Sequence, residues 1–223
     1  MYGAVVPGEI ADKALDDFWG EARSNEHMVN VEEIPRMLAI HGGNIEPGTD
    51  AAALISKSRE ALVFATASTC HSHAYQRALA RRGFATYEKA CPLLVPLVEE
   101  GWLESPVTEQ VARTYTIEAL RTASANVDVL VLGCTHYPLL RPLLRRVVPQ
   151  RIQIVDSSEA TARAVVQHLN GAELTAGEPT YRFYVTDSVE KFHRQAPLFL
   201  GFEAEHVERA DLDAPEGVPV ATA

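Results

Sequence analysis

Short apolar runs alternate along this chain with longer segments whose apolar positions recur every three or four residues. Leu62-Val63-Phe64-Ala65, Val127-Asp128-Val129-Leu130-Val131-Leu132 and Arg151-Ile152-Gln153-Ile154-Val155 are short and rich in apolar, often β-branched, residues. Runs of that length read as buried parallel strands. After the first comes a small polar loop, Thr66 to Ser72, and Ser72 can cap a helix reaching about Arg82 and closed by Gly83. Ser105-Pro106 opens a second helix with a cap and a proline at its first position. Val107, Val111, Tyr115 and Ala119 give that helix an apolar stripe. Pro142 places the start of a third near Arg141. Asp156 or Ser157 caps a fourth, with Ala162, Val165, Val166 and Leu169 on one face. Ala90 to Val98 holds Pro92 and Pro96 and predicts a loop with short helical turns. Strand, loop and helix in this order predict an α/β fold with a parallel sheet.

The ends are less regular. Glu9 to Phe18 fits a helix, and residues 24–43 show no clean period. Asn170 to Thr180 reads as a linker, Tyr181 to Thr186 alternates like a strand, and Glu190 to Leu200 fits a helix weakened by Pro197. The tail beyond Asp211, rich in Pro, Gly and Ala, reads as frayed.

Composition narrows the function classes. The 223 residues carry a formal charge of −10, which argues against a basic face for nucleic acid. No apolar run reaches transmembrane length, and no signal peptide is recognisable, so a cytoplasmic protein is expected. Three widely spaced cysteines, Cys70, Cys91 and Cys134, form no disulfide framework, and no C-x-x-C suggests a structural zinc. No metal and no cofactor are expected.

The run ending at Leu132 continues as Gly133-Cys134-Thr135-His136-Tyr137-Pro138. A thiol, a hydroxyl and an imidazole therefore stand at the carboxyl end of a parallel strand, where open α/β sheets bind ligands. Taken alone, Cys134 and His136 read equally as a buried cysteine and a capping histidine, since a free cysteine is commonly core. Cys70 and Cys91 read as structural thiols, and Thr69 and Ser72 as helix caps. His71 and His73 read as surface residues, and Glu99-Glu100 as a solvated pair.

The hexapeptide at Cys134 resembles the second-cysteine motif of the cofactor-independent glutamate racemases. Further blocks follow in the family's order. Ala65-Thr66-x-x-Thr69-x-x-Ser72-x-Ala74-Tyr75 is similar to its threonine-rich loop, and Ala90-Cys91-Pro92 through Gly101 to the block after it. Asp156-Ser157-x-Glu159-x-Thr161-Ala162-Arg163 and Phe183-Tyr184-Val185-Thr186-Asp187-Ser188 resemble two later blocks, and Ile45-Glu46-Pro47-Gly48 resembles the turn entering the second domain. From about residue 44 to 203 the resemblance is nearly continuous.

That resemblance implies two similar α/β domains with parallel sheets flanked by helices, the first one incomplete here. Residues 1–47 would be a remnant of the first domain and 48–170 the second. Residues 171–208 would return to the first domain, and 209–223 would form a flexible tail. It implies interconversion of L- and D-glutamate, for peptidoglycan precursors, by two cysteines acting on opposite faces of the α-carbon. Cys134 would be one acid/base, His136 its proton-transfer partner and Glu99 a proton relay. Thr135, Thr69, Tyr2 and Gly3 would bind substrate. The family's first cysteine lies in a C-N-T motif between its Y-G and E-P-G turns. Residues 4–45 contain no cysteine, and the opening strand with its D-S-G loop is absent ahead of Tyr2. Impaired activity is the expectation, and an uncovered apolar face would favour a homo-oligomer. An aspartate-type racemase, an inactive module binding acidic amino acids, and a thiol hydrolase using Cys134 and His136 stay open beside the glutamate reading.

Overall fold

A computed structural model describes residues 45–159, 162, 181 and 183–210. The chain divides into two compact units, one spanning residues 33–171.

In that unit, helix α1 (Ile45–Ile55) leads into β1 (Glu60–Ala65), then α2 (Ala67–Ser72), α3 (Ala74–Ala80) and β2 (Ala85–Ala90). Helices α4 (Leu94–Glu99) and α5 (Pro106–Thr122) precede β3 (Val129–Gly133). A 3₁₀ turn (Tyr137–Leu140), α6 (Arg141–Val147) and β4 (Gln153–Asp156) complete the described order. The four strands are all parallel, in the order β2-β1-β3-β4.

Both faces of the central strands are covered, which is why β1 and β3 are continuously apolar. Ala61, Val63, Ala65, Val129 and Val131 face one layer with Ala52 of α1 and Tyr75 and Leu79 of α3. By the two-residue period of a strand, Leu62, Phe64, Leu130 and Leu132 point the other way, and all four are buried. Helix α5 packs against β2, α4 and α6. Successive connections therefore leave β1 and β3 toward opposite faces. Their carboxyl ends meet at the reversal of strand order, where open α/β sheets form their ligand crevice.

Several sequence expectations shift. Strand β2 has a half-polar sequence and was not foreseen. Its side chains are mostly part-exposed, as at a sheet edge, so the apolar signal is weak. The polar loop after β1 is the one-turn helix α2, capped by Thr66, whose hydroxyl accepts from the Thr69 N–H at 3.3 Å. Ser72 ends that helix, and the left-handed His73 (φ 51°) starts α3. Ile45 to Gly48 opens a helix rather than a turn. On α5 the buried stripe is Thr108, Ala112, Thr116 and Ala119; Ala119 is as predicted, the other three each lie one residue beyond the predicted position, and Val107 is half exposed. Small side chains let this helix lie close, and the threonine hydroxyls need no distant partner. Thr116 donates to the Ala112 carbonyl (2.8 Å) and Thr108 to that of Trp102 (2.6 Å). The starts of α5 and α6 match expectation. Asp156 caps the turn beginning at Ser157, accepting from the Ser158 N–H at 3.1 Å. Ala162 is exposed, while Val165, Val166 and Leu169 lie outside the described residues.

In the other unit, β5 (Phe183–Val185), α7 (Val189–Leu200) and β6 (Val207–Arg209) form a βαβ motif with parallel strands. Ser188 caps α7 by accepting from the Lys191 N–H, and Gly201 closes it in the left-handed region. Helix α7 runs through Pro197. Among the described residues no helix is long and apolar enough to cross a membrane.

Candidate active site

Ala65 and Gly133 are paired last residues of β1 and β3. The loops that follow form the two walls of the crevice. After Gly133 the chain folds back at once, with the Tyr137 N–H donating to the Cys134 carbonyl (3.2 Å) and the Leu139 N–H to that of His136 (3.2 Å). This turn leaves Cys134 half-buried and Thr135 exposed, and buries His136 to 4% exposure.

The turn also lines up three groups. His136 Nδ1 lies 3.9 Å from Cys134 Sγ and 3.4 Å from Thr135 Oγ1. Its Nε2 lies 3.3 Å from Glu99 Oε1. Glu99 ends α4, and its side chain is only 16% exposed. The solvated-pair reading therefore does not hold for Glu99. Helix α4 packs on the 3₁₀ turn, which brings the carboxylate to the imidazole. Thiol, imidazole and carboxylate in series are the parts of a proton relay, with the carboxylate placed to favour an imidazolium.

Burial pushes the Cys134 thiol up, against the backbone N–H groups of His136 and Tyr137 that favour the thiolate. Such a thiol needs a nearby proton acceptor to act as a base, and His136 is in place. The other cysteines are poorer candidates. Burial first, then the charge of Glu88, raises Cys70 to about 11. Cys91 is fully buried and its thiol is pushed up by that burial. Its carbonyl accepts from the Tyr137 hydroxyl at 2.9 Å, so it supports the turn from below.

The wall after β1 is hydroxyl-rich. Thr66 Oγ1 and Thr69 Oγ1 are 2.9 Å apart, and Ser72 Oγ donates to the Thr69 carbonyl at 2.7 Å. His71 and His73 are both exposed, as expected for surface residues, and His73 Nδ1 lies 2.9 Å from Glu88 Oε2. Tyr2 and Gly3 lie outside the described residues. Sequence reasoning singled out neither Tyr75 nor Tyr137, both buried around the Cys134 turn. Their chemistry depends on contacts distant along the chain, which no local pattern signals.

A parallel sheet flanked by helices, with a thiol, an imidazole and a carboxylate in line at the end of a central strand, places the protein among the α/β enzymes. The chain belongs to the Asp/Glu/hydantoin racemase family, whose profile matches residues 43–165. A glutamate racemase of Koribacter versatilis is 49% identical over 194 residues, covering 76% of this chain and 67% of that protein. One from Syntrophus aciditrophicus is 43% identical over 173 residues, covering 75% and 63%. The chain thus spans about two thirds of the length of these relatives. Among solved structures, a Bacillus anthracis glutamate racemase isoform aligns with a TM-score of 0.73 at 25% identity, over 96% of this chain and 85% of that one. A Francisella tularensis glutamate racemase in complex with D-glutamate aligns at 0.67 and 29%, over 77% and 64%.

Proposed function

We propose that the chain moves the α-proton of glutamate through Cys134, without a cofactor, as a glutamate racemase of a bacterial cytoplasm supplying D-glutamate for peptidoglycan precursors. The line Cys134–His136–Glu99 carries this reading. An α-C–H beside a carboxylate is a weak acid, so a positioned base and fixed dipoles must supply the stabilisation. In this scheme Cys134 takes or gives the α-proton, while His136 accepts the thiol proton and returns it. Glu99 stabilises the imidazolium between those steps. Thr135 and Thr69 offer hydroxyls to the polar ends of the substrate from the two walls, and Tyr2 and Gly3 add to that binding. Residues 48–170 act as the second racemase domain, and residues 171–208 return to the first domain, to which 1–47 belong.

A narrower reading is favoured by the thiols. All three cysteines lie within residues 33–171, and burial disfavours the thiolates of Cys70 and Cys91. One working thiol exchanges a proton on one face only. The expected outcome in D2O is loss of the α-proton signal of glutamate by NMR, with slow or absent inversion by circular dichroism. Rapid inversion of both enantiomers would reveal a second acid/base group. A folded protein giving no exchange would refute the racemase reading and leave an acidic amino-acid binding module.

A further inference from the structure

We propose that Tyr75 is a positioning residue for Cys134, its ring serving as the backstop that fixes where the sulfur sits. The proposal rests on Cys134 being the acid/base group argued above.

Tyr75 is on α3, beyond the hydroxyl-rich wall, and is 2% exposed. Its ring lies directly against Gly133, the residue before Cys134. A Cβ built on Gly133 would stand 2.8 Å from Tyr75 Cε2 and 3.2 Å from Cδ2 and Cζ. Gly133 is outside the left-handed region, so its backbone would accept any residue. The nearest obstacle to any side chain there is the ring. A buried ring packed among Val63, Ala65 and Val131 has nowhere to swing, so the contact sets the height of the Gly133–Cys134 peptide.

The far end of the ring points toward the carboxyl end of β4, where the Ser157 side chain is near enough to favour the phenolate, and the hydroxyl also feels the charge of Cys134. Ser157 in turn lies against α1, where a Cβ on Gly48 would be 3.4 Å from Ser157 Cβ. One buried side chain therefore packs against the end of β3, at the residue before the thiol. The phenol is pushed up to about 12, by burial first and then by Cys134. A phenol so placed favours its neutral form, which suits a packing role. Its effect on chemistry is to hold Sγ beside His136 and under the N–H groups of His136 and Tyr137. A displacement near 1 Å can cost on the order of 100-fold in rate.

The test uses the full chain and two readouts, α-proton exchange on glutamate and the pH dependence of Cys134 alkylation by iodoacetamide in a C70A/C91A background. Y75L and G133A are each expected to lower kcat for exchange by on the order of 100-fold with KM little changed. They should also move the alkylation inflection upward as the sulfur leaves its N–H donors. Y75F, which keeps the ring, should keep most of the activity. In G133A/Y75L the added methyl has room, so exchange per folded molecule should recover at least about tenfold over G133A, and the alkylation inflection, which a purely structural role would not move, should return toward wild type with it. Measured well below each melting point, an unchanged inflection in Y75L together with additive single effects would overturn the proposal. If the wild type exchanges nothing, the racemase reading fails, and the alkylation inflections still decide the role of Tyr75.

Discussion

The two strand ends at the crevice are neighbours in the sheet, yet they are built to do different things. After Ala65 the hydroxyls of Thr66, Ser68 and Thr69 bond mainly to one another and to backbone, with much of the segment open to solvent. After Gly133 the imidazole of His136 is buried between a thiol and a carboxylate. Charge coupling is strong where water is excluded and weak where it is not. The first wall is therefore suited to holding a polar solute by replaceable hydrogen bonds, and the second to moving a proton. Substitutions that affect kcat should cluster in the second wall and those that affect KM in the first.

The sharpest break would come from Cys134. C134S should lower α-proton exchange by on the order of 1,000-fold while leaving the melting temperature near wild type, as followed by NMR in D2O. C70A should leave the rate close to wild type. Equal losses in the two variants would erase the contrast between the walls. Glu99→Gln comes next. It preserves shape and removes the charge behind His136, so kcat should fall by on the order of 10- to 100-fold with KM nearly unchanged. On the other wall, Thr69→Val should raise KM by about tenfold, the loss of one hydrogen bond to a charged group, with kcat little altered. A kcat effect there as large as that of Glu99→Gln would contradict the division of labour.

Much of this contrast was legible in the chain, and for an identifiable reason. Strands β1 and β3 are buried on both faces, so they announce themselves as apolar runs, and the residues at their ends can be placed by counting. The edge strand β2 could not be found that way, because both of its faces are part-exposed and admit Thr86, Glu88 and Lys89. The α5 stripe was misplaced because its buried side holds Thr108 and Thr116, whose hydroxyls are satisfied within or beside the helix. At the site, Cys134 and His136 were visible because they are local in sequence. The approach of Glu99 to His136 needed the packing of α4 on the turn. Tyr75 behind Gly133 had no local signal at all, since a glycine required by a distant ring looks like any other glycine.

The amino end of β3 supplies the smallest effect and the cleanest control. Asp128 precedes the strand, at the edge opposite Cys134, where an acidic residue would serve stability rather than chemistry. It accepts from the Ser56 hydroxyl (2.7 Å) and from the Lys57 and Ser58 N–H groups (2.7 and 2.9 Å), pinning the α1–β1 turn. Burial raises its carboxyl, but these donors outweigh it and hold it down at about 2. An unfolded Asp titrates near ~3.9. The folded state therefore gains stability from this group that is complete above about pH 4 and is lost as pH falls toward 2. Because the site is partly exposed, Asp128→Asn should cost only about 1–2 kcal/mol at pH 7 in urea unfolding. The gap between variant and wild type should narrow steadily below pH 4. Exchange per folded molecule should not change, because the whole length of β3 separates Asp128 from the thiol. A loss of kcat in Asp128→Asn at full folding would show that the two ends of the strand are coupled, and would remove the basis for assigning chemistry to the carboxyl end alone.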